Sequence, residues 1–234
     1  MGVFQFTRFA VDDHGCGMKI CSDSVLLAAW FLSPYSDRLS VADVGSGSGV
    51  LALLAADIMP QARIAGVELD SSAAAAASAN FCASPWKSRL SIVNADFLAY
   101  AAEGHTFDIV ISNPPYFTDG LRSADSARAD ARHQSGLTYA SLLKNNMLAP
   151  DGRLGMVSPA EFEQEIIYQA ELAGLKLRRI CRVVTASGKA PTRLLWDFAL
   201  ADGPISDETL CLRNPDGTYS AEYRRLVSPF YIRL

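Results

Sequence analysis

Residues 113–116, Asn-Pro-Pro-Tyr, close the apolar run FDIVIS (107–112). Neither proline has an N–H to donate, so a sheet ladder stops there. A strand stop alone needs neither the amide of Asn113 nor the ring of Tyr116. An exocyclic NH2 on a planar ring gives both a use. Its lone pair is delocalised into the ring, which makes it a poor nucleophile. The Asn113 side-chain oxygen and the Pro114 carbonyl can accept its two N–H bonds and turn the lone pair toward an electrophile. The prolines stiffen the loop, so these acceptors are placed before a substrate arrives. Tyr116 offers a flat face for stacking, worth roughly 1–3 kcal/mol per base.

A second constellation is DVGSGSG (43–49). Gly45, Gly47 and Gly49 let the chain turn tightly and approach a ligand, just before a helix whose first N–H groups lack partners. The spacing is GxGxG with Val50 next, whereas a dinucleotide fingerprint wants its third small residue there. Asp43 would repel a pyrophosphate. It suits a ligand carrying an amine and a positive sulfur, as S-adenosylmethionine does. Glu68 ends the next strand, where an acid can accept both hydroxyls of a ribose. Asp96 can accept an adenine amino group or cap the helix that follows.

These residues need a scaffold that brings strand ends together. Strand-like runs at 39–44, 63–69, 90–95, 107–112 and 153–158 alternate with helical runs at 50–59, 71–83, 138–148 and 162–174. That rhythm predicts a mostly parallel sheet covered on both faces. Runs at 175–184 and 193–200 follow one another without a helix, which predicts an antiparallel pair at an edge. Residues 22–32 predict a helix capped by Ser22. The helix at 71–83 has Ser71 at its start and Asp70 just before it as candidate caps.

Composition bounds the partners. Half of the 234 residues are apolar, and the net charge is −4, which argues against a chain coated in positive charge. Five cysteines, with no CxxC pair, read as reduced thiols and predict no metal site. No signal peptide or membrane-spanning run is visible, so the expected address is the cytoplasm.

An acid before GxGxG, an acid at the next strand end and then NPPY resemble the class I amino-methyltransferases. KICSDSVLLAAW (19–30), SPWKSRLSIVNADF (84–97), ARHQ (131–134) and the closing PDGTYSAEYRRLVSPFYIRL extend the resemblance over nearly the whole chain. They look like the bacterial methyltransferases that modify N6 of an adenine in the anticodon loop of valine tRNA. The resemblance implies a Rossmann-like α/β domain, with seven strands, a mostly parallel sheet, an antiparallel edge pair and helices on both faces. It implies a single domain over 1–234: an extension at 1–38 folding over the cofactor, a core at 39–200 and a tail at 201–234. Asp43, Gly45, Gly47 and Gly49 would hold the methionine part of S-adenosylmethionine, Glu68 the ribose, and Asp96 with Phe97 the adenine. Lys19 and Asp23 would close over the cofactor. Asn113, Pro114 and Tyr116 would receive the base. The implied partner is tRNA, bound by a monomer without metal. The same NPPY would also serve a guanine N2 or adenine N6 of ribosomal RNA, or a protein glutamine amide.

Two stretches are candidates for holding RNA. Between 176 and 193 stand six cations and no acid: Lys176, Arg178, Arg179, Arg182, Lys189 and Arg193. A solvated strand edge would look the same. After NPPY, Arg122, Arg128, Arg132 and His133 alternate with Asp119, Asp125 and Asp130, in a long loop expected to order on substrate.

Overall fold

The computed structural model describes residues 2–115, 137–144 and 147–233. A hairpin of β1 (Val3–Gln5) and β2 (Ala10–Asp12) leads into α1 (Ser22–Leu32). The sheet then alternates with helices: β3 (Ser40–Val44), α2 (Val50–Ile58), β4 (Arg63–Glu68), α3 (Ser71–Ala83), β5 (Leu90–Asn94), α4 (Phe97–Ala102) and β6 (Phe107–Ser112). After α5 (Tyr139–Leu143) come β7 (Leu148–Pro159), α6 (Glu163–Leu172), β8 (Lys176–Ala186), β9 (Pro191–Ala199), β10 (Ser206–Arg213) and α7 (Ala221–Val227).

Eight strands form the main sheet, in the order β10-β8-β9-β7-β6-β3-β4-β5. Only β9 runs antiparallel, against β7 and β8. The order reverses between β3 and β6, which makes the carboxyl ends of those two strands the ligand crevice of an open α/β sheet. The strand count corrects the expected seven. SDETLCLR (206–213), placed in a tail, adds to β8 in parallel and becomes the edge. The run at 138–148 does not form one long helix. Helix α5 ends at Leu143, and Leu148 already pairs with Phe107 as the start of β7.

Alternation sets the two faces. Ile109 and Ile111 of β6 pack with α1 and α2, while Val110 packs with Phe97, Leu142 and Ile166 on the other side. Helix α1 is buried from Ser24 to Leu32, because the sheet lies beneath it and Phe6, Tyr223, Val227 and Phe230 cover it. A Cβ on Gly155 would enter the Phe31 ring, so glycine lets α1 lie directly on β7. Cys21, not Ser22, occupies the N-cap position of α1, and no side chain caps that end. Asp70 caps α3 through Ala73 N (2.8 Å), which leaves Ser71 inside the helix.

Arg89 closes the far end of α2. Its guanidinium donates to the carbonyls of Ala56 (2.8 Å), Met59 (3.0 Å) and Ala62 (2.6 Å), a charged cap on the negative end of the helix dipole.

Candidate active site

The turn from β3 into α2 has Gly45, Gly47 and Gly49 at φ of 69°, 54° and 79°, a region that side chains with a Cβ rarely adopt. The three do different work. Gly45 N donates to Val67 O (2.9 Å), which lays the turn against β4. Gly47 has open space where a Cβ would stand, and its N–H donates to Glu68 Oε2 (2.8 Å). A Cβ on Gly49 would strike the Phe81 ring of α3. Gly49 therefore serves helix packing, and it is not among the residues that line the cleft, unlike Gly45, Ser46, Gly47 and Ser48.

Asp43 lies fully buried beneath this turn. Its Oδ2 accepts from Ser46 Oγ (2.8 Å) and Ala52 N (3.0 Å), so it braces the turn and the first turn of α2. Burial pushes its carboxyl up to about 7, against the lowering effect of those two bonds and with a further upward push from Glu68. Its Oδ1 has no partner among the described residues. A buried, half-used carboxylate under a glycine cradle fits a cationic ligand, as S-adenosylmethionine would be. Glu68 ends β4 with one oxygen on Gly47 N and the other on Asp70 N (2.8 Å). Each oxygen retains a second lone pair for a ribose hydroxyl.

Four other expected cofactor residues are placed unequally. Lys19 lines the cleft with Met18 and Ile20, and its ammonium donates to Asp13 O (2.8 Å) and Asp13 Oδ1 (3.1 Å). Asp23 stands in the first turn of α1 and pairs with Arg193 Nε of β9 (2.9 Å); it is not among the cleft-lining residues. Asp96 caps α4 through Leu98 N (2.7 Å) and Ala99 N (3.3 Å). Phe97 is buried with Val44 and Val67 beneath the carboxyl ends of β3 and β4.

Asn113 leaves the end of β6 directly opposite the glycine turn. Ser112 Oγ donates to Val44 O (2.7 Å), tying the ends of β6 and β3 together. The Asn113 amide is buried, and its Nδ2 donates to Ser24 Oγ (3.0 Å) and Cys21 Sγ (3.4 Å) at the start of α1. Both N–H bonds are thus spent on the helix, and the oxygen points the other way round the amide. Pro114 follows, also buried. Tyr116 and the cationic loop at 122–133 lie outside the described residues.

Ser24, Cys21, Ser46 and Asn80 escaped the sequence reasoning. Asn80 donates to Ser48 O and Asp12 O (both 2.9 Å) and accepts from Asp12 N (2.9 Å), which stitches the amino-terminal hairpin to the glycine turn. The sequence does not set Ser24 and Asn80 apart: Ser24 follows Ser22 and Asp23 at the helix start, and Asn80 stands two residues from Ser78. Ser24→Ala is expected to lower the single-turnover methylation rate about three- to tenfold, through one lost orienting bond of about 1 kcal/mol. Ser24→Thr keeps the hydroxyl and should recover most of the rate; equal rates for alanine and threonine variants would remove Ser24 from the site.

Much of the candidate RNA stretch at 176–193 is engaged within the fold. Arg182 pairs with Glu163 (2.7 Å) and Asp207 (3.1 Å), and Arg179 approaches Asp197 (3.8 Å) and Glu208 (3.5 Å) while lying over Trp30. Arg178 is turned to the carbonyls of Ala201 and Asp202 (both 3.2 Å). These arginines bind the sheet edge together, as the strand-edge alternative for this stretch has it.

Comparison with known proteins agrees with this geometry. The model of the methyltransferase small domain family matches residues 16–176. The protein named tRNA1(Val) (adenine(37)-N6)-methyltransferase in Tolumonas auensis is 37% identical over 99% of this chain and 97% of its own length. Its namesake in Shewanella amazonensis is 39% identical over 99% of both chains. Among solved structures, a predicted O-methyltransferase of Agrobacterium tumefaciens superposes with a TM-score of 0.69 over 88% of this chain and 96% of its own, at 19% identity, a likeness of fold alone. With GxGxG over a buried acid, an acid at the end of β4 and the Asn-Pro-Pro amide at the switch point, the chain belongs to the methyltransferase small domain family.

Proposed function

We propose that the protein transfers a methyl group from S-adenosylmethionine to N6 of an adenine in the anticodon loop of valine tRNA, the adenine 37 of its relatives' names. The observation that carries this reading is the Asn113 amide. It stands at the end of β6, beside the glycine cradle, with Nδ2 clasped by α1. S-adenosylmethionine supplies an electrophilic methyl carbon on a sulfonium, which is a good leaving group.

The chain's own residues do the rest. Glu68 and the glycine turn hold the ligand's ribose and backbone-facing side, and the buried Asp43 carboxylate favours positive charge above it. Residues 1–38 close the cleft through Lys19. The Asn113 oxygen and the Pro114 carbonyl hold the two N–H bonds of the adenine amine, and Tyr116 stacks on the ring. Nothing here calls for a strong general base, because the methylated amine sheds its proton readily in water. The protein acts as a monomer on tRNA.

Incubation with labelled methyl donor and total cellular RNA, followed by nucleoside mass spectrometry, tests the reading. The expected product is N6-methyladenosine in tRNA. Label in methylguanine, in ribosomal RNA alone or in protein would overturn it.

A further inference from the structure

Residues 1–15 and 177–234 flank the segment matched by the family model, and parts of both meet on one surface. Phe6 bridges Tyr231, Thr7 N donates to Phe230 O (2.9 Å), and the Phe4 and Tyr231 rings meet edge-on at 6.1 Å. The joined ends leave large apolar side chains in solvent: Val3 is 60% exposed, Phe4 38% and Ile232 59%.

The charges here differ in kind from those of the sheet edge. Between 213 and 233 stand Arg213, Arg224, Arg225 and Arg233 against Asp216 and Glu222, in a chain of net charge −4. None of these arginines appears in an ion pair among the described residues. Arg213 lies over the Tyr219 ring at 4.4 Å, and Arg225 and Arg233 are exposed. Partly exposed aromatic faces beside arginines that have no carboxylate partner are suited to unstacked bases and phosphates together.

The surface is continuous with the site. Tyr231 and the cleft-lining Ile20 pack against one and the same core cluster, which holds Phe6 and α1. Next in the chain, Cys21 touches the Asn113 amide.

We infer that the two chain ends, folded together, form the surface on which the anticodon stem-loop docks. Phe4 and Tyr231 receive bases next to the target, and Arg213, Arg225 and Arg233 take backbone phosphates. This rests on the reading of tRNA as substrate. It moves the RNA face from β8, where Arg179 and Arg182 are already paired with carboxylates, to the surface joining residues 3–7 with 213–233.

The test is filter binding of transcribed valine tRNA across a salt series, with cofactor affinity and melting measured alongside. The triple variant Arg213→Glu, Arg225→Glu, Arg233→Glu should lose at least about tenfold in affinity and lower the salt slope by about three, given a slope of nearly one per phosphate contact. Phe4→Ser should weaken binding with the slope unchanged, because stacking releases no counterions. Cofactor affinity and melting should hold in both. Parent-like affinity and slope in both variants, from a parent that does methylate the tRNA, would overturn the docking surface alone. A change of oligomeric state with tRNA affinity kept would make the patch a contact between copies, which also overturns it. A parent that neither binds nor methylates the tRNA overturns the substrate reading, and the docking surface with it.

Discussion

Asn113→Ala should lower the single-turnover rate of N6 methylation on valine tRNA by on the order of 10²–10³-fold, the usual cost of losing one placed hydrogen-bonding group at a transition state. The oxygen that would hold the reacting amine disappears, while the glycine cradle and Glu68 stay in place. Cofactor affinity measured by calorimetry should therefore change little. The substitution is not free for the fold. Asn113 Nδ2 donates to Ser24 and Cys21, so its removal strips a buried clasp between β6 and α1 and should cost about 1–2 kcal/mol of stability. Rates belong well below the melting temperature of the variant. A folded alanine variant that methylates at the parent rate would reduce the Asn-Pro-Pro turn to a strand stop.

Asp43→Asn should separate stability from ligand binding. Burial holds the folded carboxyl at about 7, against 3.8 for a free aspartate. The folded protein then binds more protons than the unfolded chain between those two values. Stability accordingly falls as pH rises from about 4 to about 7 and stays low above, by at most about 4 kcal/mol at 1.36 kcal/mol per unit. Asparagine keeps an oxygen for Ser46 and Ala52 and carries no charge to desolvate, but it buries an N–H2 where Asp43 Oδ1 has no partner. The net expectation is a gain of about 1–3 kcal/mol above pH 7, vanishing toward pH 4. Cofactor affinity should move the opposite way. In the parent it should rise as pH passes 7 and the carboxylate ionises; in the variant it should be weaker and nearly flat. The difference in melting temperature between the two proteins, followed from about pH 5 to about pH 8, cancels the titrating groups that do not touch Asp43. A constant difference would mean that Asp43 is ionised throughout.

Strands buried on both faces were legible because apolar residues dominate them. Runs such as FDIVIS show it, with Ile109, Val110 and Ile111 all wholly buried. Strand β10 was not legible: SDETLCLR lies at an edge, only Leu210 is buried, and its register is set by β8. The three-residue strands of the amino-terminal hairpin are too short for any period to show. At the site, residue types that do chemistry stood out, as Asn113, Glu68 and Asp43 did. Residues that orient them did not, since Ser24 and Asn80 gain meaning only when α1 and α3 are packed. The cationic run at 176–193 stayed open to two readings for a related reason. Its acids, Glu163, Asp197, Asp207 and Glu208, come from other elements, so the charge that counts is that of the folded neighbourhood.

The bridge between Phe6 and Tyr231 also bears on how such proteins can be recombined. Two segments more than two hundred residues apart in sequence share one aromatic cluster, with Phe4, Phe6 and Phe9 from one and Tyr231 from the other. A chimaera that takes its first fifteen residues from one relative and its last thirty from another brings together halves of two different clusters. Exchanging either end alone should expose α1, whereas exchanging both as a pair keeps a matched lid. For breeding or shuffling experiments, the two extremities form a single heritable unit split by the rest of the gene.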